Sequence, residues 1–136
     1  MICEGDLFEW PVRVYYEDTD AGGVVYYANY LKFMERARTE WLRSHGLDLA
    51  QLVRDENAMF VVRQAQLDFH RPAHLSDNLA VSVQVQRRRR VSVDLAQAVS
   101  RNETLLCAAQ VRLACVDSRT LRPRLLPASL IEESNN

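Results

Sequence analysis

The sequence predicts a single two-layer α+β domain, one long helix against an antiparallel sheet. Three observations carry this. A helical period opens near Asn29 and stops at Gly46. Four runs of alternating apolar residues follow it. Connections as short as Arg101–Glu103 force antiparallel neighbours, because a parallel crossover takes a dozen residues or more. With 136 residues, 48% of them apolar, the chain suits one domain over 1–136 with a real core.

Residues 11–17 alternate, with Val12, Val14 and Tyr16 on one face and Arg13, Tyr15 and Glu17 on the other, a strand pattern. Acids and glycines then break it. Tyr30, Phe33, Met34, Ala37 and Trp41 fall at helical spacing, with Leu31 and Leu42 broadening the stripe. Gly46 supplies the stop, so the helix runs roughly 16–18 residues, about 25 Å. "LDLAQLVRDEN" fits either a short second helix or a structured loop.

From Ala58 the chain reads as strand. Met59, Val61, Ala65, Leu67 and Phe69 share a face interrupted by Arg63, which is expected to be buried and paired or turned toward a subunit contact. Pro72 ends that strand. Leu79 to Val85, Val91 to Val99 and Leu105 to Cys115 make three further alternating runs, so the four later strands are expected to follow one another as a meander. "DSRTLRPRLLP" and "ESNN" look like a tail, which the domain reading assigns to 126–136. One helix covers one face of a sheet, and the sheet keeps free edges, so an oligomer is expected, most simply a two-fold dimer.

Composition narrows the function. The formal net charge of −1 gives no bulk attraction to nucleic acid or membrane. "RRRR", Arg87 to Arg90, fits a four-residue hairpin loop, and without an aromatic platform it is a poor nucleic-acid site. Cys3, Cys107 and Cys115 form no CxxC and leave an odd one over, which argues against disulfides or a thiolate metal site and for a reducing compartment. Cys107 and Cys115 lie on an apolar strand face and read as inert core thiols. His45, His70 and His74 share no metal spacing. The N-terminus lacks signal architecture and no apolar run reaches membrane-span length, so a cytoplasmic protein is expected.

Chemistry concentrates in "YYEDTDAGGVVYYANY", Tyr15 to Tyr30. Glu17, Asp18 and Asp20 precede Gly22 and Gly23, whose backbone can approach a ligand closely. A helix then begins near Tyr27 to Asn29, presenting unpaired N–H groups and a positive dipole end. A carboxylate beside a site for a developing oxyanion is what acyl transfer needs. Asp18 and Thr19 could equally serve as caps or turn formers. A hard-cation site on "EDTD" lacks further ligands in regular spacing, and no G-x-S-x-G or Walker A motif is present.

"YYEDTDAGGVVYYANYLKFMERARTEWLR" resembles the signature segment of hotdog-fold acyl-CoA thioesterases of the 4-hydroxybenzoyl-CoA thioesterase family, most of all the bacterial branch associated with the Tol–Pal cluster. The resemblance extends over "FVVRQAQLDFHRPAHLSD" and "CVDSRTLRPRLLP". It implies a curved antiparallel five-stranded sheet wrapped around one long central helix, with subunits paired through their sheets and homotetramers common. It places the catalytic aspartate, base or nucleophile, on Asp20 and the oxyanion-binding backbone N–H on Tyr27. Many members of that branch carry histidine at this position, so Tyr27 excludes an essential imidazole and leaves a backbone role. Gly23 and Val25 fall against the substrate. Arg88 matches a recurring arginine and would clamp the phosphates of coenzyme A, against the plainer reading of a solvated turn. Glu35 and Arg38 match "ERAR" and read as a structural ion pair. No metal or prosthetic group is implied; coenzyme A enters as part of the substrate. Envelope or acyl-carrier partners and a place at the periphery of the inner membrane also follow from the resemblance. The competing reading is a non-enzymatic acyl-CoA- or protein-binding module of the same fold, linked to cell-envelope or phospholipid-synthesis proteins; the intact "DTDAGGVVY" favours the enzyme. A dehydratase of this fold would need a different Asp/His arrangement, which is absent from the sequence.

Overall fold

The apolar stripe that opens at Tyr30 forms one helix, α1, Asn29–Ser44, in the computed structural model, which describes residues 7–132. Tyr30, Phe33, Met34, Ala37, Trp41 and Leu42 are buried on one side of it. Leu31, expected to widen the stripe, is exposed, so the buried face is narrower there. Gly46 adopts a left-handed φ of +79°, and Gly46 and Leu47 donate back to the carbonyls of Arg43 and Leu42, closing the helix. The following segment is a second helix, α2, Leu49–Glu56, capped by the Asp48 carboxylate on the Gln51 N–H at 3.0 Å.

Five strands build one antiparallel sheet: β1, Phe8–Arg13; β2, Ala58–Phe69; β3, Asn78–Arg88; β4, Ser92–Arg101; and β5, Thr104–Asp117. Their spatial order is β1-β3-β4-β5-β2, which leaves β1 and β2 at the edges. The expected four-strand meander holds only for β3, β4 and β5; β2 pairs with β5, because the connection 70–77 is long enough to carry the chain across the sheet to β3. α1 packs against β1, β3 and β4, and Leu52 of α2 joins the same core. Leu79, Val81, Val83 and Val85 of β3 face it, with Val93, Leu95 and Val99 of β4 and Cys107 to Cys115 of β5 in alternation. Gln97 interrupts this surface. It is 2% exposed, its Oε1 accepts from Arg38 at 2.9 Å, and its Nε2 donates to the Met34 carbonyl at 3.1 Å. A satisfied polar clamp therefore lies between helix and sheet. Arg38 bonds Gln97, with Glu35 adding a weaker electrostatic pull, so the expected Glu35–Arg38 pair gives way to this contact.

Three expectations are corrected. The first strand ends at Arg13, four residues short of the alternation, because the Asp18 carboxylate takes the Tyr15 N–H and the chain coils into a 3-10 turn at Tyr16–Asp18. Tyr16, expected on the apolar face, is 82% exposed. In β2 a bulge at Arg63 reverses the phase. Phe60 and Val62 pair with the inward positions Cys115 and Leu113, so Met59 and Val61 point to the other face, while Ala65, Leu67 and Phe69 return to the core side. Arg63 itself is exposed rather than buried and paired. Arg87 and Arg88 belong to β3, where a bulge at Gln86 precedes them, so the hairpin loop is only residues 89–91.

The segment after β5 does not trail away. Val116 and Pro123 form a bridge, the Leu126 N–H donates to the Arg90 carbonyl, and a short helix, α3, Ala128–Glu132, follows. Leu126 and Leu130, 3% and 1% exposed, belong to the main core. Cys3 and "ESNN" lie outside the described residues. A tail residue would tolerate truncation to within about 0.5 kcal/mol. Leu130→Ala is instead expected to cost about 2–4 kcal/mol in urea denaturation, as for a buried leucine.

Candidate active site

The three acids of the opening segment have separate fates. Asp18 is 3% exposed. Its Oδ2 accepts the Tyr15 N–H at 2.9 Å, and its carbonyl accepts from the Tyr26 N–H and from Asn29 Nδ2 at 2.8 Å. It ties the loop to the first turn of α1 and has no room for chemistry. Glu17 is exposed on the 3-10 turn. Asp20 stands exposed at the head of a tight hairpin, with Oδ1 accepting the Gly22 N–H at 2.9 Å.

That hairpin is closed by a bridge between Thr19 and Val25, by Asp20 N–H to the Val24 carbonyl, and by Gly23 N–H to the Asp20 carbonyl. Gly23 makes the reversal at φ +80°, a region L side chains rarely adopt. Asp20 leaves on the outgoing leg just past the bridge, and Tyr27 follows two residues beyond it on the return. A turn at Tyr27 and Ala28 leads into α1 through Asn29 N–H to Tyr26 O and Tyr30 N–H to Tyr27 O. Among the described residues the Tyr27 N–H has no hydrogen-bond partner. The hairpin thus carries an exposed carboxylate on one leg and an unpaired N–H at the start of a 16-residue helix on the other.

Beside it lies a cleft of about 260 Å³ lined by Val25, Tyr27, Tyr30, Phe69, His70 and Pro72 among others. Phe69 meets Tyr30 and Tyr27 edge-on, at 5.5 and 6.2 Å between ring centroids. Tyr26 packs on Tyr27 at 4.7 Å, and the neighbouring Tyr27 hydroxyl raises the Tyr26 phenol above its ordinary value. Val25, which borders the cleft, is itself buried and its N–H donates to the Ala73 carbonyl at 2.8 Å.

Arg88 is not brought to this hairpin within one chain. β3 runs from Asn78, beside Arg13 just before the hairpin's segment, to Arg88 at its other end, about 33 Å for ten steps of extended chain. There its Nε donates to the Leu130 carbonyl at 2.7 Å. Cys107 and Cys115 are free and buried, and burial pushes the Cys107 thiol up to about 11, which removes it as a nucleophile near neutral pH. Among the described residues no three of His, Cys, Asp and Glu gather as metal ligands.

Two residues beneath the hairpin escaped the sequence reading. Asp77 Oδ2 lies 2.6 Å from Arg101 Nη1 and accepts the His74 N–H at 2.8 Å. Burial alone would push the Asp77 carboxyl up; the His74 N–H and Arg101 outweigh it and hold it below its ordinary 3.8. The signal was a turn acid three residues after His74, but its partner Arg101 is distant in sequence.

A family model of the Thioesterase-like superfamily matches residues 14–133. The chain belongs to this superfamily. Among its relatives, the acyl-CoA thioester hydrolase YbgC of Escherichia coli is 47% identical over 128 residues, 93% of this chain and 95% of that one. The acyl-CoA thioesterase YbgC of Haemophilus influenzae is 43% identical over 120 residues, 88% of each chain. The crystal structure of a probable thioesterase from Bartonella henselae superposes with a TM-score of 0.85 at 34% identity, over 90% of this chain and all of that one. A 1,4-dihydroxy-2-naphthoyl-CoA thioesterase from Synechocystis gives 0.86 at 26% identity, over 96% of this chain and 97% of that one. The five-stranded sheet with its long helix is the hotdog architecture of this thioesterase superfamily.

Gly23 has open space where a Cβ would go, so its constraint is the backbone angle alone. Gly23→Ala is expected to cost about 1–2 kcal/mol of stability through that angle, read as a lower Tm. Gly22→Ala meets only the Asp20 carboxylate at 3.4 Å and carries no positive φ, so it serves as the milder control.

Proposed function

We propose that this protein hydrolyses acyl-CoA thioesters to free acid and coenzyme A, with Asp20 as base or nucleophile and the Tyr27 N–H as oxyanion donor. The observation that carries this reading is the hairpin with an exposed carboxylate on one leg and an unpaired helix-start N–H on the other. Attack on the thioester carbonyl pushes charge onto its oxygen, where the N–H and the positive end of α1 are placed to receive it. Asp20 either attacks the carbonyl directly, giving a mixed anhydride that water then opens, or takes a proton from the attacking water. In both routes the carbon–sulfur bond breaks to release coenzyme A thiolate, a competent leaving group, so the reading calls for no metal or prosthetic group. The cleft beside Tyr27 is the place for the acyl group.

The site is read as complete only in a dimer. β2 is a 12-residue edge strand, exposed from Val62 to Gln66, and such an edge seeks a partner. Two-fold antiparallel pairing along β2 would set the Ala58 end of one strand beside the Phe69 end of the other. It would carry the partner's Arg88 hairpin to the end where Asp20 lies, and there Arg88 could meet the phosphates of coenzyme A. The sheet face away from α1, with Gln66, Gln84, Gln110, Ala96 and Ala98, offers a weakly charged surface on which dimers could stack as a homotetramer. Among the described residues no helix is long and apolar enough to cross a membrane. Unpaired buried thiols favour a cytoplasmic place, and the resemblance supports envelope or acyl-carrier partners of the Tol–Pal kind.

Asp20→Asn is expected to lower kcat by about 10²-fold or more in thiol-release assays, with the oligomer intact. Undiminished turnover would return the role to Glu17, and no wild-type turnover on any acyl-CoA would favour a binding module. Subunit sharing is tested by mixing Asp20→Asn with Arg88→Ala chains. Restored activity in the mixed dimer places Arg88 across the interface; no restoration overturns its assignment to the partner's site.

A further inference from the structure

The reacting loop is held to the body of the protein through a second, short segment. Val24 bridges His74, the Val25 N–H donates to Ala73 O at 2.8 Å, and the Leu75 N–H donates to Gly23 O at 3.2 Å. Residues 73–75 therefore act as the fixed strand against which the Asp20 hairpin is laid. They are themselves not part of the sheet. Three contacts fasten them. The Tyr30 hydroxyl accepts the Ala73 N–H at 3.0 Å. Asp77 Oδ2 accepts the His74 N–H at 2.8 Å while the Asp77 N–H returns to the His74 carbonyl. Arg101, at the end of β4, holds that same carboxylate oxygen at 2.6 Å and reaches the Pro72 carbonyl at 3.4 Å.

We propose that Asp77, anchored by Arg101, is a positioning residue that sets the Asp20 hairpin for catalysis through residues 73–75. The role rests on the thioesterase reading of Asp20. The physical reason is that, apart from Val25 buried in the core on the returning leg, the hairpin has little else to fix its distance from the helix start. Ala21 and Gly22 are exposed and bury no apolar surface, and the bonds inside the hairpin keep its shape but not its place. Asp18 and Asn29 pin its base; the Val24–His74 bridge pins its tip. An error on the order of 1 Å in the placement of a reacting group costs up to about 10²-fold in rate. A charge-assisted pair anchored on β4 is stiffer than a neutral contact would be.

Steady-state thiol release and amide hydrogen exchange on the full chain test this together. Asp77→Ala is expected to lower kcat by about 10-fold or more with KM within about two-fold, because the acyl cleft is untouched. Exchange at Val25 and Leu75 should quicken while Val99 and Val111 in the sheet stay protected. Arg101→Leu should fall the same way, and Arg101→Lys should recover much of the loss. Asp77→Asn, which keeps an acceptor for His74 but loses the charge, provides the folded variant should Asp77→Ala fail to fold. Unchanged kcat in Asp77→Ala or Asp77→Asn beside an active wild type overturns the positioning role alone. Loss of kcat accompanied by equal loss of protection in the sheet also overturns it, since the pair would then be structural. A wild type that releases no thiol overturns the thioesterase reading, and the positioning role with it.

Discussion

The rest of the structure depends on how α1 is seated on the sheet. Phe33, Met34 and Ala37 give the contact its apolar energy, each fully buried on the helix that packs against β1, β3 and β4. An apolar contact alone allows sliding, since it has no direction. Gln97 removes that freedom. It sits in the core face of β4, accepts from Arg38 and donates to Met34 O, so helix and sheet meet at one register. Losing either partner would leave a buried amide or guanidinium unsatisfied, which is costly. A fixed helix axis means a fixed helix N-terminus, and the hairpin that carries Asp20 and Tyr27 leads into it.

From that terminus the division of labour among the acids follows. A carboxylate buried at the base of the loop can be stable only if it is bonded, and Asp18 is, through Tyr15 N–H. Two residues on, beyond the Thr19–Val25 bridge, the backbone has turned out to solvent and Asp20 is exposed. Neighbouring carboxylates in one short motif thus become a structural tie and an exposed group, the one proposed above to react. The difference lies in which side of a bridge each falls. Asp77 and Arg101 continue the same logic beneath the loop, using a partly exposed charge pair to hold the 73–75 backbone, which lies outside the sheet.

Edges and bulges shape what one chain can do alone. The bulge at Arg63 turns Met59 and Val61 away from the core, and the strand order leaves β2 as a long edge strand. The aromatic cleft opens at the far end of that same strand, with Phe69 as one wall. Arg88 is at the other end of the sheet, occupied with the Leu130 carbonyl. A single protomer therefore separates its basic hairpin from its carboxylate, and the pairing proposed along β2 is the arrangement that would reunite them.

The sequence by itself determined the class of the fold, the extent of α1 and its stop at Gly46, and the antiparallel succession of β3, β4 and β5, though not the place of β2 beside β5. Those are local matters: period, turn chemistry and loop length are written in consecutive residues. It also determined the segment that carries Asp20 and Tyr27, because a hairpin and a helix start depend on neighbours in the chain. What it could not determine were the phase of β2 beyond a single bulged residue, the packing of Leu126 and Leu130, and the partners Gln97 and Arg101. A bulge costs little and leaves no local mark. Contacts between residues 59 and 63 apart, as for Arg38 and Met34 with Gln97, exist only once the sheet has folded onto the helix. Tertiary structure alone decided that Arg88 lies far from Asp20, since distance along a strand becomes distance in space only when its neighbours fix its direction.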